Sequence, residues 1–135
     1  MTIAKYARKA AWIVPTEAQE MRVLAQWLDM AGVLWLHCPN EGKRSFAVAA
    51  RLKAEGLRRG APDVLAFTPP PNHPEYRGVA IELKRIKGGK VSDDQRQWIV
   101  DLAKVGWCTR IALGAGDAIG FLMTLGYGVG TGKST

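Results

Sequence analysis

Glu82 and Lys84 stand inside an apolar run, Gly78-Val79-Ala80-Ile81-Glu82-Leu83-Lys84, that reads as a strand. Strand side chains alternate faces with period 2, so Val79, Ile81 and Leu83 share one face while Ala80, Glu82 and Lys84 share the other. The two charged groups then lie about 6–7 Å apart along the strand. An acid and a lysine on one face of an apolar strand destabilise it unless they have partners. A divalent metal and a water would be such partners. Upstream, Gly60-Ala61-Pro62-Asp63 opens a second apolar run, Asp63-Val64-Leu65-Ala66-Phe67, and places another acid at a strand start. Taken alone, these residues read more simply as a buried ion pair, Glu82–Lys84 or Asp63–Lys84.

A chain of 135 residues makes one domain and can bury a real core. Its apolar fraction of 47% is that of a folded protein. The net charge of +7 favours an anionic partner, because clustered Lys and Arg neutralise phosphates and release counterions. Cys38 and Cys108 form no disulfide framework, and with His37 and His73 they are too few for a zinc site at motif spacing. An intracellular, cytoplasmic setting in a bacterium or a phage-infected host is the expectation. No run approaches a membrane span, and five apolar residues after Lys9 are too few for a signal-peptide core.

Residues 1–15 read as a basic arm ending at Pro15. Thr16 and Gln19 have capping-box spacing, and Leu24, Trp27, Leu28 and Ala31 give a helix one apolar face up to Gly32. Val33 to Cys38 reads as a strand, Phe46 to Ala54 as a short helix, Asp63 to Phe67 and Gly78 to Arg85 as strands. Ser92 caps a helix through Val105, Trp107 to Leu113 is a strand, and a last helix runs from Asp117 to about Leu125. The prolines between Pro69 and Pro74 cannot continue a strand. Interleaved strands and helices predict an α/β fold with a mixed sheet flanked by helices, spanning residues 16–126, followed by a flexible tail at 127–135. The tail sequence Gly128-Val129-Gly130-Thr131-Gly132-Lys133-Ser134 is no phosphate-binding P-loop. The glycine that motif needs five residues before Gly132 is Tyr127, and no helix follows. No nucleotide cofactor is expected.

The ordered set Pro39-Asn40-Glu41-Gly42-Lys43-Arg44-Ser45, Gly60-Ala61-Pro62-Asp63, Tyr76-Arg77-Gly78 into Ile81-Glu82-Leu83-Lys84, and Ser92 with Gln95 resembles the PD-(D/E)xK nucleases. More narrowly it resembles their VRR-NUC branch, in the small stand-alone form found in phages and prophages. The resemblance runs from about Thr16 to Leu125. It implies a restriction-endonuclease-like core and a metal-dependent DNA endonuclease using Mg²⁺ or Mn²⁺. Asp63 and Glu82 would hold the metal with the carbonyl of Leu83 as a third ligand. Lys84 would orient or deprotonate the attacking water, or pair with a phosphate oxygen. A glutamate on the first helix would complete the site.

Glu17 and Glu20 compete for that place. Both fall within about 40° of Leu24 on the apolar face, whereas Arg22 and Asp29 point away. Thr16-Glu17 best fits the family position, with Glu20 close behind. Acids in a first turn also simply stabilise the helix dipole. Gln95 has two readings as well, a capping-box partner of Ser92 and a support for the site beside Lys84. Asn40, Lys43 and Arg44 read as phosphate contacts or as a solvated turn. Arg58, Arg59, Arg85, Lys87 and Lys90 are singly surface charges, but together would ring the site with positive potential. His37 reads as a core or edge histidine, and the tryptophans mainly as core.

The expected substrate is DNA, branched or duplex. So small a domain has little surface for sequence readout, which favours structure-selective cutting at junctions or flaps in phage replication, recombination or repair. A homodimer is compatible with that, because two active sites suit a branched duplex. The rival readings are a catalytically silent nucleic-acid-binding module on the same fold, a site-specific restriction-type enzyme, and a phage assembly protein.

Overall fold

Thr16 caps the first helix, α1 (Glu17–Met30), by accepting from Gln19 N–H at 3.1 Å while Gln19 Oε1 accepts from Thr16 N–H at 2.8 Å. This reciprocal box satisfies two of the donors a helix start leaves free. The helix stops where Gly32 takes a positive φ of 71°. Its inner face buries Glu20, Leu24 and Leu28. The computed structural model describes residues 13–39 and 44–128. The basic arm expected at 1–15 lies largely outside them, as do Asn40, Lys43 and the end of the expected tail.

The remaining elements are β1 (Trp35–His37), α2 (Phe46–Ala54), β2 (Val64–Ala66), β3 (Val79–Lys84), α3 (Asp93–Lys104), β4 (Cys108–Leu113) and α4 (Gly114–Thr124). They form one four-stranded sheet in the order β1-β2-β3-β4. The first two pairings are antiparallel and β3 runs parallel to β4, with α3 as the crossover. This is the expected mixed sheet flanked by helices. β1 and β2 are shorter than their apolar runs, yet Cys38 N–H still donates to Asp63 O and Phe67 N–H to Leu34 O beyond the strand ends.

The last helix begins at Gly114, three residues before the expected Asp117. Asp117 is not its cap but reaches back over the first turn, accepting from Leu113 N–H at 2.9 Å and from Arg110 at 2.6 Å. Burial raises the Asp117 carboxyl, but those hydrogen bonds and the Arg110 charge outweigh it and hold the group below its ordinary value. Gly114 can open the helix directly off the strand because its φ is 85°. The core also extends one residue past the expected boundary. Tyr127 is 2% exposed, and its hydroxyl donates to the Thr68 carbonyl.

The sheet has two unlike faces. On the first, Val64, Ala66, Val79, Ile81, Leu83 and Ala112 pack with Leu24 and Leu28 of α1 and with Ala115, Ala118 and Leu122 of α4. Each large aliphatic side chain buried there contributes about 1.5–3 kcal/mol. On the second face lie Ala80, Glu82 and Lys84, by the alternation of the strand. Helix α3 packs over β4 and β3 on this side, and none of its residues joins the first-face core. The described tryptophans are half-buried rather than central: Trp27 and Trp35 flank the core, Trp98 donates to Arg59 O at 2.9 Å, and Trp107 meets Phe67 edge-on.

Candidate active site

The β2–β3 register pairs Val64 with Ile81. One step further it sets Asp63 opposite Glu82, on the second face. Asp63 is held there from three directions. Its Oδ2 accepts from Leu83 N–H at 2.7 Å, and its carbonyl accepts from Cys38 N–H at 2.9 Å and from His37 Nδ1 at 2.8 Å. A carbonyl only accepts, so His37 carries its proton on Nδ1. The turn before Asp63 is fixed by Gly60, whose φ is 79° and whose Cα approaches α3 so closely that a Cβ would lie 2.7 Å from Asp94 and 2.8 Å from Gln95 N. Only glycine meets both demands.

Glu17 joins this pair from the first turn of α1. One carboxylate oxygen each of Glu17, Asp63 and Glu82 lies within 4.8 Å of the others. Glu82 is 1% exposed, and its Oε1 is buried without a hydrogen-bond partner. Burial first, then the hydrogen bond and charge of Asp63, push its carboxyl up to about 9; Lys84 pulls it back and Glu17 adds to the rise. Lys84 is itself buried, with Nζ 4.0 Å from Glu82 Oε2. The donor set fits a hard divalent cation: three oxygen ligands from three elements, one with an oxygen that nothing in the described protein satisfies.

Glu20 lies one turn deeper and outside this cluster. Its Oε2 is also buried and unpartnered, and a Cβ on Gly114 would lie 2.5 Å from it. It faces the start of α4, where helix N-terminal charge is favourable to an anion. Gln95 forms the expected box with Ser92, donating N–H to Ser92 Oγ at 3.1 Å and accepting Ser92 N–H at 2.9 Å. Its helix start is the one packed against Gly60.

The basic residues separate into groups. Arg85 donates to the carbonyls of Pro15 and Val14 at 3.1 and 3.0 Å, tying the segment before Glu17 to the end of β3. That anchoring role was not legible in sequence. Arg58 donates to Lys53 O and Leu57 O at the end of α2. Arg59 stands 3.9 Å from Asp94, with both side chains largely exposed. Arg44, Lys87 and Lys90 are exposed. His37 is the other role that sequence missed. The only signal was a histidine at a strand end beside the acidic turn.

No curated protein matches the chain. A solved structure described as a VRR_NUC domain protein shares the fold, with a TM-score of 0.67 at 24% identity, over 84% of this chain and 93% of that one. The VRR-NUC domain profile matches residues 15–115, which span α1 to the start of α4 and so contain the three clustered carboxylates and Lys84. The protein belongs to the VRR-NUC family of nuclease domains.

Proposed function

We propose that the protein is a metal-dependent DNA endonuclease whose site is built from Glu17, Asp63, Glu82 and Lys84. The observation that carries this is the cluster of three carboxylates, Glu17, Asp63 and Glu82, of which Glu82 keeps a buried oxygen with no hydrogen-bond partner. Three acids that close repel one another unless a proton or a cation intervenes. A bound Mg²⁺ or Mn²⁺ supplies charge neutralisation and activates water for phosphodiester hydrolysis.

The chain's own groups do the rest. Asp63, immediately before β2, and Glu82 on β3 are fixed ligands, Glu17 closes the cluster from α1, and the Leu83 carbonyl is a further oxygen donor. Lys84 stands with its Nζ 4.0 Å from Glu82 Oε2, where as an ammonium it would orient the attacking water or meet a phosphate oxygen, and as a free amine would take the water's proton. Gln95 supports this region from α3. Arg44, Arg58, Arg59, Lys87 and Lys90, with Asn40 and Lys43 of the preceding loop and Arg85 at the strand end, give the surroundings the positive potential that attracts a phosphate backbone.

The substrate is branched DNA, such as a junction or flap, in phage or prophage replication, recombination or repair. Support comes from the small size of the domain, which leaves little surface for reading bases. Labelled duplex, single-strand, flap and four-way substrates incubated with Mg²⁺, Mn²⁺ or chelator test the proposal. Metal-dependent cutting near branch points is expected. Discrete fragments from plain duplex would instead indicate a site-specific enzyme, and binding without cutting a silent module.

A further inference from the structure

The three carboxylates of the candidate site are not held alike. Asp63 and Glu82 are fixed by the sheet: Asp63 accepts from Leu83 N–H, and Glu82 is 1% exposed within β3. Glu17 is the first residue of α1 and is exposed. Helix ends fray, because their outermost turns have the fewest backbone partners. Glu17 is therefore the member of the cluster whose place most needs fixing.

Two forces push the first turn of α1 outward. One oxygen of Glu17 lies within 4.8 Å of one from Asp63 and one from Glu82, and the three groups repel whenever they are ionised. One turn deeper, Glu20 has Oε2 buried without a partner against Gly114, which also favours lifting the turn off the sheet. Apolar packing does not counter this locally. Met21 lies at the margin of the core, and Leu24, the first apolar α1 residue inside it, is about 10 Å along the axis from Glu17.

The counterforce comes from Arg85, which follows Lys84 at the end of β3. Its Nε–H donates to Pro15 O at 3.1 Å and its Nη2–H to Val14 O at 3.0 Å, in partly buried surroundings. Nε–H and Nη2–H lie along one edge of the planar guanidinium, so one rigid fork grips two consecutive carbonyls. Both carbonyls precede α1, outside any helix or strand. The fork thus ties the chain just before Glu17 to the strand that carries Glu82 and Lys84.

We infer that Arg85 is a positioning residue for metal binding: by clamping Val14 and Pro15 to the end of β3, it keeps Glu17 within reach of Asp63 and Glu82. The inference rests on the metal reading of the cluster. It separates Arg85 from the exposed Arg44, Lys87 and Lys90. The Arg85 charge adds to the surrounding potential, but the donors along that edge serve its own chain rather than a phosphate.

Arg85→Lys tests this, because it keeps the charge and the stem but loses the fork. Calorimetric titration of the full chain with Mn²⁺, without DNA, should show binding about 10-fold weaker than in the parent. In a Glu17→Gln background the same substitution should change Mn²⁺ affinity by less than about threefold, because the ligand it serves is gone. Hydrogen exchange of the metal-free protein gives a second readout. The amides of Gln19 and Glu20, which bond to Thr16, should exchange about 10-fold faster in Arg85→Lys, while those of β3 and α3 keep the parent rates. Metal-free binding to labelled duplex should stay within about threefold of the parent, with the same salt dependence. An equal loss of Mn²⁺ affinity with and without the Glu17 carboxylate overturns the inference, since the effect would then be a general loss of structure. Weaker DNA binding with Mn²⁺ affinity intact overturns it in favour of a phosphate contact. A parent that binds no Mn²⁺ removes the metal reading and this inference together, whereas a parent that binds it no better than Arg85→Lys removes this inference alone.

Discussion

Strand β3 is buried along its whole length, but its two faces are built on opposite terms. Val79 and Ile81 are apolar, belong to the first-face core and stabilise the sheet by burial. Glu82 and Lys84, alternating with Ile81 and Leu83 on the opposite face, bring charges into the same dry surroundings, and the Glu82 carboxyl answers by rising to about 9. One face holds the fold and the other gathers charges that stand in need of partners. Neighbouring positions on one strand can therefore serve stability and chemistry separately.

The sharpest way to break that comparison is to remove the charged face. Asp63→Ala, Glu82→Ala and Lys84→Ala should each lower the cleavage rate by about 1,000-fold or more while the circular dichroism spectrum is kept. Full activity in any folded variant would take that residue out of the mechanism. The apolar face should respond in the reverse sense. Ile81→Ala is expected to lose about 2–5 kcal/mol in urea unfolding, yet to cut normally per folded molecule.

The first helix sharpens the contrast further. Glu17→Gln removes a member of the carboxylate cluster and should weaken metal binding and cleavage by about 10–100-fold with little loss of stability. Glu20→Gln, one turn deeper against Gly114, should leave metal affinity within about threefold of the parent. Calorimetric titration with Mn²⁺ distinguishes the two. The reverse result would exchange the roles of Glu17 and Glu20.

A pH series gives the smallest effect. Glu82 has its folded value raised to about 9 from an ordinary 4.5, so the folded protein holds a proton that the unfolded chain gives up. The associated stability is fully present below pH 4.5, declines as pH rises and is gone above about 9. Metal-free protein should therefore become less stable between pH 5 and 9, roughly, and Glu82→Gln should flatten that dependence. Metal affinity should rise over the same window, because the ligand must lose its proton. A pH-independent melting curve for the parent would show that Glu82 is already ionised.

Much of this was legible in the residues. The capping boxes at Thr16–Gln19 and Ser92–Gln95, the punctuation at Gly32 and the prolines after Pro69 act over a few residues, so they set where helices and strands begin and end. The pattern of Asp63, Glu82 and Lys84 in apolar runs, read with the flanking family motifs, was enough to single out a candidate site, because charges are rarely placed there without a partner. What sequence could not decide was where separate elements meet. Glu17 and Glu20 share a helix face, and only the packing of α1 over the end of β3 brings one to Asp63 and turns the other toward α4. Arg85 looks like a surface charge and His37 like a core or edge histidine until the segments they hold are brought beside them. Phe46 to Ala54 carries every local mark of a buried helix and is not buried, because burial belongs to the surfaces available in three dimensions. Local propensity and periodicity determined the elements and drew attention to the charged residues among them. Tertiary contact alone decided which carboxylates converge and which apolar side chains are buried.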